Sequence, residues 1–139
     1  MHAIYTAHAT ATGGRDGAAS TPDKTIDLRL GVPKEMGGSG VGTNPEQLFA
    51  AGYAACFLGA MKFVGGKAKI AVPSDAKIES TVGIGERDDK QGFGIVVSLK
   101  VFLPGVPHEQ AEELVKKADV VCPYSHAIRG NVKVDISIA

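Results

Sequence analysis

One stretch, Thr43–Val64 (TNPEQLFAAGYAACFLGAMKFV), limits what this chain can fold into more than any other. Its first residues carry the chemistry of a helix start. Asn44 can cap, Pro45 suits the first helical position, and Gln47 can close a capping box. From Leu48 to Met61 there is no charged residue, so the helix is apolar on every face. Gly65 and Gly66 are expected to stop it. A stretch that short suits a buried core helix better than a membrane span. The remaining elements must then wrap around it, and in a chain of 139 residues that cover is expected to include a second subunit.

Cys56 lies near the middle of this stretch. At helical spacing its same-face neighbours are Gly52, Tyr53, Gly59 and Ala60. Ala51, Ala55 and Gly59 form a row of small residues that lets another backbone approach closely. The thiol is thus expected in a site that is buried yet roomy. Taken alone, this describes a small hydrophobe in a tight helix crossing, the usual setting of a buried cysteine.

Composition narrows the partners. Lys+Arg 15 and Asp+Glu 15 balance, which points away from nucleic acid and from anionic membranes. The opening MHAIYTAHATATGG has neither a basic n-region nor an apolar h-region, so no signal peptide is expected and the location is cytoplasmic. The chain holds two cysteines. In a reducing compartment these are either unrelated buried thiols or a pair that cycles. At this length a single domain over 1–139, with a real core, is expected.

Taken in order, residues 2–12 give a faint strand signal around Ile4 and Tyr5, and Gly13–Gly17 reads as a turn. Thr25–Leu30 alternates cleanly, as a half-buried strand does. The two strands suggest a hairpin with Arg15 at or near its tip. Gly31–Gly42 reads as a flexible connector beside the helix entrance. Its glycines lack the Lys-Ser/Thr and the βαβ context of a phosphate loop. Ala76–Glu86 and Gly94–Leu103 form a hairpin about the polar turn Arg87–Gly92. After Pro104–Pro107, His108–Ala118 is an amphipathic helix burying Ala111, Leu114, Val115 and Ala118. A short segment, Pro123–Gly130, precedes a closing strand over Asn131–Ile138. The sum is an α+β fold with mostly antiparallel strands.

Among polar groups, His2, His8, His108 and His126 are scattered. Cys122 and His126 stand one helical turn apart, but no second pair completes a tetrahedral metal set. No nucleophile elbow supports a Ser-His-Asp arrangement. The Lys and Glu residues of 109–117 read as a solvated helix face, and Tyr53 and Tyr124 as core or pocket wall. Cys56, Cys122, Arg15 and Glu46 remain. A thiol in an apolar mid-helix site has a raised pKa and is inert, so a nucleophilic Cys56 needs a cation brought to it. Arg15 suits that task because it stays charged when desolvated, and Glu46 can hold the guanidinium in a bidentate pair. Ten residues of continuous helix rise about 15 Å and turn about 280°, so Glu46 cannot touch its own Cys56. Three arrangements answer this: an extended Arg15 spans part of the gap, the helix starts later, or Glu46 comes from a partner subunit. The reading leans to the partner. Taken singly, Glu46 is an ordinary acid in a first helical turn and Arg15 an ordinary turn residue.

The segments GTNPEQLFAAGYAACFLGAM and VVCPYSHAIRGN, with TATGGRDG upstream, closely resemble the organic hydroperoxide resistance (Ohr) branch of the OsmC/Ohr superfamily. The match spans almost the whole chain, in order. The resemblance implies an intertwined homodimer with strands wrapped around a long buried central helix and a second helix. It also implies a thiol-dependent peroxidase acting on organic (alkyl or fatty-acid) hydroperoxides, with sites at the subunit interface. Cys56 would be the peroxidatic cysteine, Cys122 the resolving one, Arg15 the thiolate stabiliser and Glu46 its orienter. No metal and no bound cofactor are implied. The reductant would be an external dithiol, dihydrolipoamide on a lipoylated protein. A redox sensor without turnover, a structural α+β protein with two unrelated thiols, and an OsmC-type enzyme preferring hydrogen peroxide are the competing readings.

Overall fold

A computed structural model describes residues 1–139. They divide into two compact units, Met1–Leu48 and Phe49–Ala139.

The first unit is a small antiparallel meander of β1 (Thr10–Thr12), β2 (Ala18–Ser20) and β3 (Asp27–Arg29). β1 pairs with β2, Thr10 opposite Ser20 and Thr12 opposite Ala18, and β2 in turn pairs with β3. The expected hairpin between residues 2–12 and Thr25–Leu30 is therefore wrong in its partner. Ala18–Ser20 intervenes, and its two alanines and a serine carry no apolar alternation to announce a strand. Residues 2–9 form no strand. Between β1 and β2 a single 3₁₀ turn, Gly14–Asp16, carries Arg15 at the tip. Gly13 enters that turn in the left-handed region (φ 72°). At Gly17 a side chain would collide with the Thr12 carbonyl. Only glycines close so tight a reversal.

The connector after β3 is not loose. A 3₁₀ turn, Lys34–Met36, is closed by amides donating to Pro33 and Lys34. The amides of Gly31 and Thr43 donate to the carbonyls of Thr43 (3.0 Å) and Arg29 (2.9 Å), cross-linking the two ends of the loop. Satisfied backbone groups of this kind hold an irregular segment in one conformation.

Helix α1 (Pro45–Ala68) starts where its capping chemistry predicts. The Gln47 amide donates to Asn44 Oδ1 (2.9 Å) and the Asn44 amide to Gln47 Oε1 (3.1 Å), a complete capping box. Its end differs from expectation, because Gly65 and Gly66 are helical. Termination comes at Lys69, left-handed at φ 56°, with the Ile70 amide reaching back to the Gly65 carbonyl (3.0 Å). A Cβ on Gly65 would sit 2.7 Å from the Ile70 carbonyl oxygen. The glycine thus permits a close approach and does not break the helix.

In the second unit, β4 (Lys77–Glu86) and β5 (Phe93–Phe102) form the expected antiparallel hairpin. The closing strand β6 (Val134–Ile138) joins the other edge of β5 in parallel, the exception to the antiparallel pattern. The crossover between β5 and β6 is α2 (His108–Val121), longer than expected, followed by a short helix α3 (Pro123–Ile128) where only a segment was expected. Inward side chains line up in register across the sheet as Ile78–Val101–Ile138 and Val82–Val97–Val134. Val97, Leu99 and Val101 are buried with Tyr53, Phe57 and Met61 of α1 and with Leu114 and Ala118 of α2.

Helix α1 is not covered on all sides within the chain. Tyr53, Phe57, Ala60, Met61 and Val64 are buried. Ala51, Ala55 and Gly59 are exposed, as are Leu48 (37%) and Phe63 (56%). The small-residue row lies on the open face.

Candidate active site: a thiol pair and an arginine–carboxylate pair

The two cysteines of the second unit come together. Both are free thiols, Cys122 fully buried and Cys56 partly so. Their sulfurs are 3.5 Å apart, joined by a weak hydrogen bond. Helix α1 presents Cys56 beside its buried face. Cys122 is the joint between α2 and α3: its amide donates to the Ala118 carbonyl (2.8 Å), and its carbonyl accepts from the His126 amide (2.9 Å). Pro123 opens α3 and forces the residue before it out of the helical region, which is where Cys122 lies (ψ 121°). A corner at Cys122 is thus written into the Cys-Pro pair.

Aromatic rings flank the cysteines along α1 and α3. Tyr124 sits 5.9 Å, ring centre to ring centre, from both Phe49 and Tyr53. Tyr53 in turn stands edge-on to Phe57 at 6.4 Å. Gly52 is what admits Tyr124, since a Cβ there would lie 2.9 Å from the tyrosine hydroxyl oxygen. The buried Tyr53 hydroxyl shares a 2.6 Å hydrogen bond with Ser125 Oγ. The sequence reading placed Tyr53 and Tyr124 as core or pocket wall and did not single out Ser125 or Gly52. One signal was available: Tyr53 is three residues before Cys56, and Ser125 is three after Cys122.

Burial pushes the Cys56 thiol above its ordinary pKa. The Tyr124 backbone amide opposes that shift, and the neighbouring Cys122 sulfur adds to it. Within this unit the surroundings of Cys56 therefore disfavour its thiolate.

Arg15 and Glu46 also pair, within the first unit. Arg15 Nη1 and Nη2 donate to Glu46 Oε2 (2.9 Å) and Oε1 (2.6 Å), a bidentate fork. Both residues belong to one chain, and α1 already begins at Pro45, so a later helix start is not the answer to their spacing from Cys56. The Glu46 side chain is 14% exposed, the Arg15 side chain 35%. Donation from Arg15 holds the Glu46 carboxyl below its usual range, against an opposing effect of burial. The same hydrogen bond raises the Arg15 pKa, so the guanidinium remains charged. The hairpin tip thus presents a cation fixed in orientation by a carboxylate on the first turn of α1.

Comparison with known proteins adds an independent line. Residues 37–137 match the family model described as OsmC-like protein. An organic hydroperoxide resistance protein from Xanthomonas axonopodis pv. citri is 55% identical over 137 residues, 98% of this chain and 95% of that one. The organic hydroperoxide resistance protein OhrB of Bacillus subtilis is 43% identical over 136 residues, 98% of each chain. The crystal structure of that OhrB overlays with a TM-score of 0.89 at 42% identity, covering 99% of this chain and 100% of the other. An organic hydroperoxide resistance protein OsmC from Legionella pneumophila overlays with a TM-score of 0.93 at 46% identity and 99% coverage of both chains.

Proposed function

This chain belongs to the OsmC-like family, in its organic hydroperoxide resistance branch, and on that premise we propose that it is a thiol-dependent peroxidase reducing organic hydroperoxides to alcohols. The observation that carries the reading is the pair of free thiols 3.5 Å apart, one buried and one partly open, among aromatic rings.

The reaction runs in three steps. The Cys56 thiolate attacks the outer peroxide oxygen, the O–O bond breaks, and the alkoxide takes a proton to leave as an alcohol. Cys56 becomes a sulfenic acid. The Cys122 sulfur then displaces the sulfenic oxygen, which leaves as water, and a Cys56–Cys122 disulfide results. An external dithiol, a lipoyl group on a protein partner, restores both thiols by exchange. No bound cofactor or metal takes part. Arg15, held by Glu46, stabilises the thiolate that burial alone disfavours. The aromatic and small residues around Cys56 suit an alkyl or acyl tail.

The protein acts as one domain over 1–139 and as a homodimer with its sites at the interface. The exposed apolar face of α1, with Ala51, Ala55, Gly59 and Phe63, supports that assembly. A dithiol that must be regenerated suits the cytoplasm, where small thiols are kept reduced.

The test is one equivalent of tert-butyl hydroperoxide followed by mass spectrometry. The expected product has lost two hydrogens and yields a peptide linking residues 56 and 122. Steady consumption of peroxide with a dithiol then separates an enzyme from a sensor. Oxidation that stops after one equivalent, with reductant present, would end the peroxidase reading.

A further inference from the structure

We infer that the buried Tyr53–Ser125 hydrogen bond is a positioning device for the resolving step, holding the Cys122 corner against α1 so that its sulfur stays within attacking distance of Cys56. The use of that corner in a resolving step rests on the peroxidase reading above.

The geometry is a pair of rungs between the same two supports. Tyr53 lies one turn before Cys56 on α1, and Ser125 lies one turn after Cys122 on α3. One rung is the sulfur pair at 3.5 Å; the other is the hydroxyl pair at 2.6 Å. It joins α1 to the corner alongside the sulfur contact and the Tyr124 backbone amide that faces Cys56. Helix α3 spans only Pro123–Ile128, too short to be stable without tertiary anchoring. Its other polar tie, Arg129 Nη2 donating to the Asp119 carbonyl (2.5 Å), closes the corner on itself and leaves it unattached to α1.

Burial makes the hydroxyl rung selective. Tyr53 is 0% and Ser125 3% exposed, and Ser125 is the buried polar residue of the chain. If the corner swung away, both hydroxyls would lose their partner in a dry setting, where an unmade bond is costly. The rung therefore favours the one placement in which the sulfurs also meet.

Closing the disulfide requires the sulfurs to approach by about 1.5 Å, from 3.5 Å to bonding distance. In that step the S–S bond forms, the S–O bond of the Cys56 sulfenic acid breaks, and the Cys122 proton leaves with the oxygen as water. A corner tethered next to its target needs only this short movement. An untethered one must first be recaptured, and misplacement on the scale of 1 Å slows a reaction by up to about a hundredfold.

The test compares Tyr53→Phe, Ser125→Ala and the double variant, with rapid mixing against one equivalent of organic hydroperoxide. In Ser125→Ala, which leaves the aromatic residues beside Cys56 in place, loss of the Cys56 thiol should keep its wild-type rate. Disulfide formation should slow roughly tenfold or more, with Cys56 sulfenic acid now captured by dimedone. The double variant should be no slower than either single one, because both remove the same bond. A second readout needs no peroxide: in a glutathione redox buffer the variants' Cys56–Cys122 equilibrium should move about tenfold toward the dithiol. Far-UV circular dichroism identifies a variant that has not folded, and the change made from the other side of the bond then carries the test. Wild-type disulfide rate and wild-type glutathione equilibrium in folded Tyr53→Phe would overturn the inference. A wild-type protein that ignores peroxide, while its glutathione equilibrium still moves with Tyr53→Phe, would overturn the peroxidase reading and uphold the rung.

Discussion

The proposed mechanism concentrates its chemistry in one atom, the Cys56 sulfur, whose surroundings oppose it. Burial raises its pKa, and reactivity demands the thiolate. Cys56→Ser should abolish peroxide consumption, while Cys122→Ser should consume one equivalent and stop with a sulfenic acid, read as one added oxygen by mass spectrometry. If Arg15 supplies the compensating charge, Arg15→Ala should move the pH–rate profile for peroxide to higher pH. The rate at neutral pH should fall roughly tenfold or more, because an opposite charge at close range shifts a pKa by about 1–3. Stopped-flow rates across pH decide this, and an unmoved profile would remove Arg15 from the site. Glu46 leaves a different trace. Its folded-state pKa lies below the ordinary value of 4.5, so its contribution to stability is complete above that pH and is lost as pH falls through the folded value. Urea unfolding of Glu46→Gln should therefore depend less on pH, as pH falls below the ordinary carboxyl value of 4.5, than that of the wild type.

At the scale of elements, the two adjacent glycines of α1 make opposite predictions. A Cβ at Gly65 meets the fixed carbonyl of Ile70, whereas a Cβ at Gly66 meets nothing. Gly65→Ala should cost about 1–3 kcal/mol despite the better helix former, and Gly66→Ala should gain up to about 1 kcal/mol; thermal or urea melts measure both. The same pair marks where sequence reasoning stops. The start of α1 was legible because Asn44, Pro45 and Gln47 act within one turn, and local chemistry can be read from local order. Its end was not, because whether a helical glycine breaks the helix or admits a neighbour depends on Ile70 folding back. Strand β2 was illegible for a similar reason. Ala18–Ser20 owes its pairing to the turn before it and not to any pattern of its own. The alternation of β4 and β5, and the four buried positions of α2, were read correctly because burial there follows a simple period.

At the scale of the whole molecule, the expectation that α1 needs cover beyond its own chain is expressed as an exposed row of small residues with Phe63 at one end. If a second copy supplies that cover, Ala51→Arg should lower the molar mass measured by light scattering from two chains to one and reduce the unfolding temperature. An unchanged two-chain mass would place the interface elsewhere. The four residues singled out in the sequence come together in the chain as two pairs. What could not be read was the company they keep: Tyr53, Ser125 and Tyr124 take their places only through contacts made across the fold. The parallel seating of β6 against β5 carries a last consequence. The Cys122 corner lies on the crossover between those strands, so it is fastened at its far end by the seating of β6 on β5. During synthesis the first sulfur emerges long before its fellow has a fixed address. Until that strand docks, a nascent polypeptide holds both sulfurs with no fixed distance between them.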